Sequence, residues 1–236
     1  MTAARTLDWR RSREFRAHPA EVVDVEDATW TTLAARAAQG SLTMLGLWPD
    51  GAAMVMALHD PDARAVALAR RRARRGGKIQ SIGDVHPAAQ RLERAAADLA
   101  GLTFEDSPDP RPWLDHGRWE IAHPLGRAEP HPGHGAYRFL PVSGESLHQV
   151  PVGPVHAGII EPGHFRFTAQ GETVVRLEER LGYVHKGIET LMRGAGLARG
   201  AELAGRVSGD STVAYAWAFA QAAEAALEIE VPERAF

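Results

Sequence analysis

No cysteine occurs anywhere in the 236 residues. Disulfides, thiolate metal ligands and cysteine-held iron–sulfur clusters are therefore excluded within this chain. No apolar run reaches the eighteen or so residues that a membrane-spanning helix needs. The opening stretch, MTAARTLDWRRSREF, holds no apolar segment of the kind that marks a secretory leader. A Gly-x-Gly-x-x-Gly fingerprint is missing too, so direct nicotinamide binding has no support. The net charge is −3, which gives no general attraction to nucleic acid or to an anionic membrane. What remains is an ordinary globular composition, 44% hydrophobic and 24% charged, long enough for one or two cored domains.

Along the chain, residues 1–28 read as an N-terminal arm whose first part is polar and Arg-rich. Asp27 to Gln39 is Ala-rich, opens on an Asp suited to N-capping and ends at Gly40, which predicts a helix. Leu42–Trp48 and Ala52–Leu58 flank Pro49-Asp50-Gly51 and predict a hairpin. Arg64 to Lys78 carries seven positive charges. Alternation of Val66, Leu68 and Arg70 with Ala65, Ala67 and Ala69 favours a strand, although the composition suits a helix. No aromatics interleave with these arginines, so a solvated strand edge outweighs a nucleic-acid or lipid-headgroup patch.

Pro87 to Ala100 predicts the clearest helix, with Gly101 at its end and an apolar stripe of Ala88, Leu92, Ala95, Ala96 and Leu99. The proline-studded segment from Leu102 to Leu114 is too extended for helix. Residues 126–150, rich in Gly, Pro and His, read as a protease-sensitive linker. His131 and His134 within it lack a nearby third ligand, so a solvated linker outweighs a metal site.

The chain is organised around Gly153 to Glu189. His164, Arg166 and Thr168 alternate with Phe165 and Phe167, and the alternation resumes after Gln170-Gly171, which predicts a β-hairpin. Beyond turns at Gly194 and Gly196, an Ala-rich helix runs to about Leu227. Val213, Trp217, Ala220, Ala223 or Glu224, and Leu227 sit at helical spacing and make one face apolar, and Ser208 or Ser211 is placed to cap it.

Gly153-Pro-Val-His156 followed by His185-Lys-Gly-Ile-Glu189 resembles the opening of the large subunit of membrane-bound, complex-I-like nickel–iron hydrogenases. It equally resembles the 49-kDa-type subunit of NADH:quinone oxidoreductase (complex I), over residues 150–232. A second resemblance covers residues 29–125. Ile79–Val85, Leu92-Glu93-Arg94, Asp98–Leu102 and Pro108-Asp-Pro-Arg-Pro112 are similar to the 30-kDa-type subunit of the same complex. Ala95-Ala96 departs from that pattern, which carries further charge there. The resemblances imply an α+β fold: a 30-kDa-type sheet-and-helix domain, the linker, and at 151–236 a β-hairpin with helices from the start of a hydrogenase-large-subunit-like region.

The resemblance also points to residues. His156 and His164 become candidate proton donors at a quinone-type cavity, set against ordinary hairpin histidines bonded to backbone. Glu189 becomes a candidate proton relay, set against a carboxylate at a helix start. Arg206-Val-Ser-Gly-Asp-Ser211 stands where active hydrogenases carry Arg-x-Cys-Gly-x-Cys. Ser208 and Ser211 thus occupy degenerate metal-ligand positions, because a protonated hydroxyl is a poor ligand for a soft metal.

Two functions are implied. In one, the chain is a subunit of a complex-I-like or formate-hydrogenlyase-like oxidoreductase. It binds no cofactor itself, but works beside iron–sulfur and membrane subunits and helps line a quinone-type cavity. In the other, it is a docking or assembly module that has lost the redox chemistry. Either implies a cytoplasmic location, peripheral on the inner face of the cell membrane, and self-association when isolated.

Overall fold

The structure, a computed structural model, describes residues 22–74, 76–131, 133 and 137–232. Most of the expected arm, and His134, lie outside these residues. The described chain forms two compact units: residues up to 112 with 122–129 and 221 onward, and 113–121 with 130–220.

In the first unit, β1 (Val22–Asp24), β2 (Thr43–Asp50), β3 (Ala53–Asp60) and β4 (Ala65–Arg72) form a sheet in the order β1-β4-β3-β2. The end of the expected arm is therefore ordered: β1 pairs parallel with β4, Val22 opposite Leu68. The β2–β3 hairpin turns at Gly51, whose φ of 58° suits glycine. The Arg64–Lys78 stretch is a strand, as its alternation predicts. Ala65, Ala67, Ala69 and Arg71 face inward and Val66 and Arg72 outward.

Helix α1 (Asp27–Ala38) contributes Trp30, Leu33 and Ala34 to the core that Ala67, Ala69, Met54, Met56 and Leu58 supply from the sheet. Small alanines on β4 leave room for the indole. Asp27 does not cap the helix, whose N-cap is Glu26 without a side-chain bond. Asp27 instead accepts from Arg71 Nε at 2.6 Å and pairs with Arg74. Asp24 takes Arg70 and Arg72, and Glu105 takes Arg74 and Lys78. Five of the seven positive charges are thus paired within this unit, sharing Asp24, Asp27 and Glu105, which favours an ion-paired strand edge over a nucleic-acid patch.

Parallel strands β5 (Lys78–Gln80) and β6 (Thr103–Glu105) bracket α2 (Ala89–Ala100). The helix ends at Gly101 with φ 72°, where a side chain would crowd the His123 ring. The buried face of α2 differs from the expected stripe. Leu92 is 38% exposed, whereas Glu93 is 1% exposed and Arg94 is buried. Both charges are satisfied. Glu93 accepts from Ser81 Oγ at 2.7 Å and from the Ile82 N–H at 2.8 Å. Arg94 donates to the carbonyls of Arg111 and Pro112 and to Asp109 at 2.7, 2.9 and 3.0 Å, fastening the proline-rich segment. Hydrogen bonding outranked hydrophobicity in choosing which residues of this helix face inward.

Short strands β7 (Ile121–Ala122) and β8 (Glu129–Pro130) follow. In the second unit, β9 (Leu147–Val152), β10 (His164–Gln170) and β11 (Thr173–Arg180) form an antiparallel sheet in the order β11-β10-β9. The β10–β11 hairpin is the predicted one, with Gly171 at the turn and a register shift at Thr168/Ala169. The third strand, β9, begins in the expected linker. From Tyr137 onward that stretch is not free chain. Its Leu140 N–H donates to the Glu178 carboxylate, and Phe139 carries the Arg166 guanidinium 3.8 Å above its ring. His131, expected to be solvated, is buried against Asp115. Proline and glycine content made the described residues of this stretch irregular without freeing them.

The chain ends in α3 (Ile188–Met192), α4 (Leu197–Ala204) and α5 (Thr212–Leu227). Gly200 of α4 sits against the Phe219 ring. No residue of α5 is buried.

Candidate functional site

The second unit holds a cleft of about 430 Å³. Its walls come from three segments: the loop from His156 to Phe165, the chain from Leu181 to Glu189, and Val207, with Leu114 completing it. The loop closes on itself because Gly153 and Gly163 pass back to back. A side chain on Gly153, at φ 81°, would meet the Gly163 carbonyl. Gly182 plays the same part against Leu114, at φ 84°.

Leu114, Ile160, Phe165, Leu181 and Ile188 make much of the lining apolar, while His156, Glu161, His185, Lys186 and Glu189 supply polar groups. The His156 ring lies edge-on to Phe165 at 5.4 Å. His185 stacks on Trp119 at 4.9 Å. Lys186 Nζ donates to Glu161 Oε1 at 2.5 Å and to the carbonyls of Arg206 and Val207 at 3.2 and 3.0 Å. Glu189 is exposed in the first turn of α3, just past Gly187 at φ 65°. It is both a lining residue and a carboxylate at a helix start, so the two readings of it coincide in place.

Two sequence candidates, His156 and Glu189, thus share the cleft. His164 is not among its lining residues. Its Nδ1 faces the Gly153 carbonyl at 3.5 Å, its ring tilts against Phe139, and its Nε2 is buried without a partner among the described residues.

Ser208 and Ser211 lie just beyond Val207, around the short helical turn Gly209–Ser211, which has no side-chain cap. Their hydroxyls donate to one oxygen, Asp210 Oδ1, at 2.6 and 3.2 Å. The bond from Ser208, then that from Ser211, holds the Asp210 carboxyl below the usual carboxylate range. These hydroxyls satisfy a carboxylate rather than the start of α5. As a donor set, two protonated hydroxyls engaged with a carboxylate do not fit a nickel–iron centre, which needs bridging thiolates.

Sequence reasoning passed over Glu161, Tyr183 and Trp119. It valued Lys186 only as a neighbour of Glu189. The lysine lies 25 residues from Glu161 and 20 from Arg206, so no local pattern announces their meeting.

Residues 26–134 match the family described as "Respiratory-chain NADH dehydrogenase, 30 Kd subunit". That stretch is a domain of this family. The 30-kDa-type domain thus begins at α1 and takes in most of the first unit's sheet and α2. The chain is also similar to hydrogenase-4 component G of Escherichia coli (strain K12), 37% identical over 192 residues, covering 77% of this chain and 32% of that protein. Formate hydrogenlyase subunit 5 of the same organism is 36% identical over 160 residues, 63% of this chain and 28% of the relative. The C/D subunit of NADH-quinone oxidoreductase from Phocaeicola vulgatus is 24% identical over 219 residues, 82% of this chain and 42% of the relative. The chain thus spans between 28% and 42% of the length of these relatives. A match covering 77% of the chain extends past the 30-kDa-type domain and takes in the loop from His156 to Phe165, wherever it begins.

Proposed function

We propose that the chain works as a subunit of a complex-I-like or formate-hydrogenlyase-like oxidoreductase. The similarity to hydrogenase-4 component G carries this reading, because its 192 aligned residues extend past the 30-kDa-type domain. In this reading the 30-kDa-type domain docks iron–sulfur partners, and the second unit is a hydrogenase-large-subunit-like region whose cleft forms part of a quinone-type cavity. Its volume, its apolar walls and its few polar groups suit an aromatic head group. A quinone bound there would supply two-electron, two-proton chemistry. His156 and Glu189 would exchange protons at its edge, since an imidazole and a carboxyl group can each take up and release a proton. The chain holds no nickel–iron centre of its own, in keeping with serine at 208 and 211. Attachment to the cytoplasmic face of the membrane runs through partner subunits; among the described residues no helix is long and apolar enough to cross one.

The test is affinity purification of the tagged protein from its native membranes in mild detergent. Iron–sulfur and integral-membrane subunits should co-purify in fixed ratio. Recovery of the chain without either class, or stoichiometric nickel on the isolated chain by elemental analysis, would overturn the reading.

A further inference from the structure

The structure assigns to Lys186 the role of a latch that holds the Ser208–Ser211 turn against the wall of the cleft. An ammonium has three N–H donors. At Lys186 each of the three has an acceptor: the Glu161 carboxylate at 2.5 Å, the Arg206 carbonyl at 3.2 Å and the Val207 carbonyl at 3.0 Å. Three segments distant in sequence meet at one nitrogen: the loop ahead of β10, the approach to α3 and the exit of α4.

The acceptors explain why a cation is needed. Arg206 and Val207 follow α4 and its cap Gly205, and their N–H groups close its last turn onto Leu203 and Ala204. The Arg206 and Val207 carbonyls lie just past this helix end, where the helix dipole is negative and favours a cation. Lys186 binds both of these oxygens, and Glu161 balances its charge. Val207 lines the cleft, and Ser208 follows it directly, so the position of the latch sets both the wall and the Asp210-centred group. Lys186 is a positioning residue: it acts through the backbone of 206–207. This role goes beyond the redox reading and does not depend on it.

Amide hydrogen exchange on the full-length protein tests the latch. The amides of Arg206, Val207 and Ser211 are hydrogen-bonded and report on this turn. Lys186→Met should raise their exchange about tenfold or more, the worth of charge-assisted bonds, while β10 and β11 amides stay as protected as in the wild type. Lys186→Arg, which keeps a cation of similar reach, should bring exchange back toward the wild-type rate. Unchanged exchange in Lys186→Met, or a Lys186→Arg protein as loose as Lys186→Met, overturns the assignment. Should Lys186→Met lose protection everywhere, Glu161→Gln decides: it weakens one arm only, and a smaller rise confined to the same three amides is expected. No rise there rejects the latch.

Discussion

His131 Nε2 lies 2.5 Å from Asp115 Oδ2, and each side chain is only 5% exposed. The Gly133 N–H donates to His131 Nδ1, so Nε2 is the nitrogen that carries the proton toward Asp115. Asp115 Oδ1 accepts from the Gly117 N–H at 2.9 Å. The pair therefore joins the segment 113–121 to His131 inside the second unit. Removing the imidazole takes a donor from a buried carboxylate, which costs about 3 kcal/mol. His131→Ala should lower the unfolding midpoint in urea accordingly, and Asp115→Asn, whose single amide oxygen cannot serve both Gly117 and His131, should lower it too. A His131→Ala protein as stable as the wild type would show that the pair holds nothing.

Acid should loosen the first unit through its Asp–Arg pairs. Hydrogen bonds from Arg70, and then Arg72, lower the Asp24 carboxyl from 3.8 to about 2. Asp27 is lowered in the same direction by Arg71 and Arg74. A carboxyl depressed in the folded state contributes stability above its unfolded pKa and loses that contribution as pH falls through the folded value. The window for Asp24 therefore runs from 3.8 down to about 2. Asp24→Asn should flatten thermal stability across that window; an unchanged slope would remove Asp24 from the account. Both groups are partly open to solvent, so the effect is modest and shrinks with salt.

Glu93 titrates with the opposite sign. Burial is the main cause and pushes its carboxyl up from 4.5, against the bonds from Ile82 and Ser81. A raised carboxyl favours the folded state below its unfolded pKa and loses that advantage as pH rises through the folded value. Glu93→Gln keeps an acceptor for the Ile82 N–H and removes the charge. Relative to the wild type, the variant should gain stability as pH rises above 4.5. Chemical denaturation at about pH 4 and about pH 8 measures it, on either side of the ordinary carboxylate range, and a constant difference between the two would refute the idea.

The apolar face of α5 should drive self-association of the isolated chain. Trp217 is 65% exposed and Val213 is 80% exposed. Apolar surface is worth about 25 cal/mol per Å² when covered, so a face of this kind forfeits several kcal/mol in water. Light scattering should show mass rising with concentration, and Trp217→Glu should suppress the rise. A monomer at all concentrations would mean that the exposed face drives nothing.

Local order was legible wherever neighbours in sequence share one element. Alternation on both sides of Gln170-Gly171 announced β10 and β11, and Ala65–Arg70 announced β4 despite a composition that suits helix. The residues of Ile79–Val85 and Pro108–Pro112 carried the 30-kDa resemblance that the family match bears out. The candidate site was legible in part: His156 and Glu189 do line one cleft, while His164 does not.

What period alone could not decide was which distant groups meet. Leu92 and Glu93 sit side by side, and only the nearby Ser81 hydroxyl and Ile82 N–H make burial of the carboxylate the better choice. β9 has no alternation of its own and is a strand because Phe165–Gln170 offers it a ladder. Lys186 is a flexible cation in sequence and a three-way tie in space. The amino-acid order determined backbone preference and much of the alternation of faces, because those depend on neighbours a few positions away. Tertiary structure decided the partners of Lys186, Glu93 and His131, because a buried polar group is stable only where the folded chain brings it a donor or acceptor.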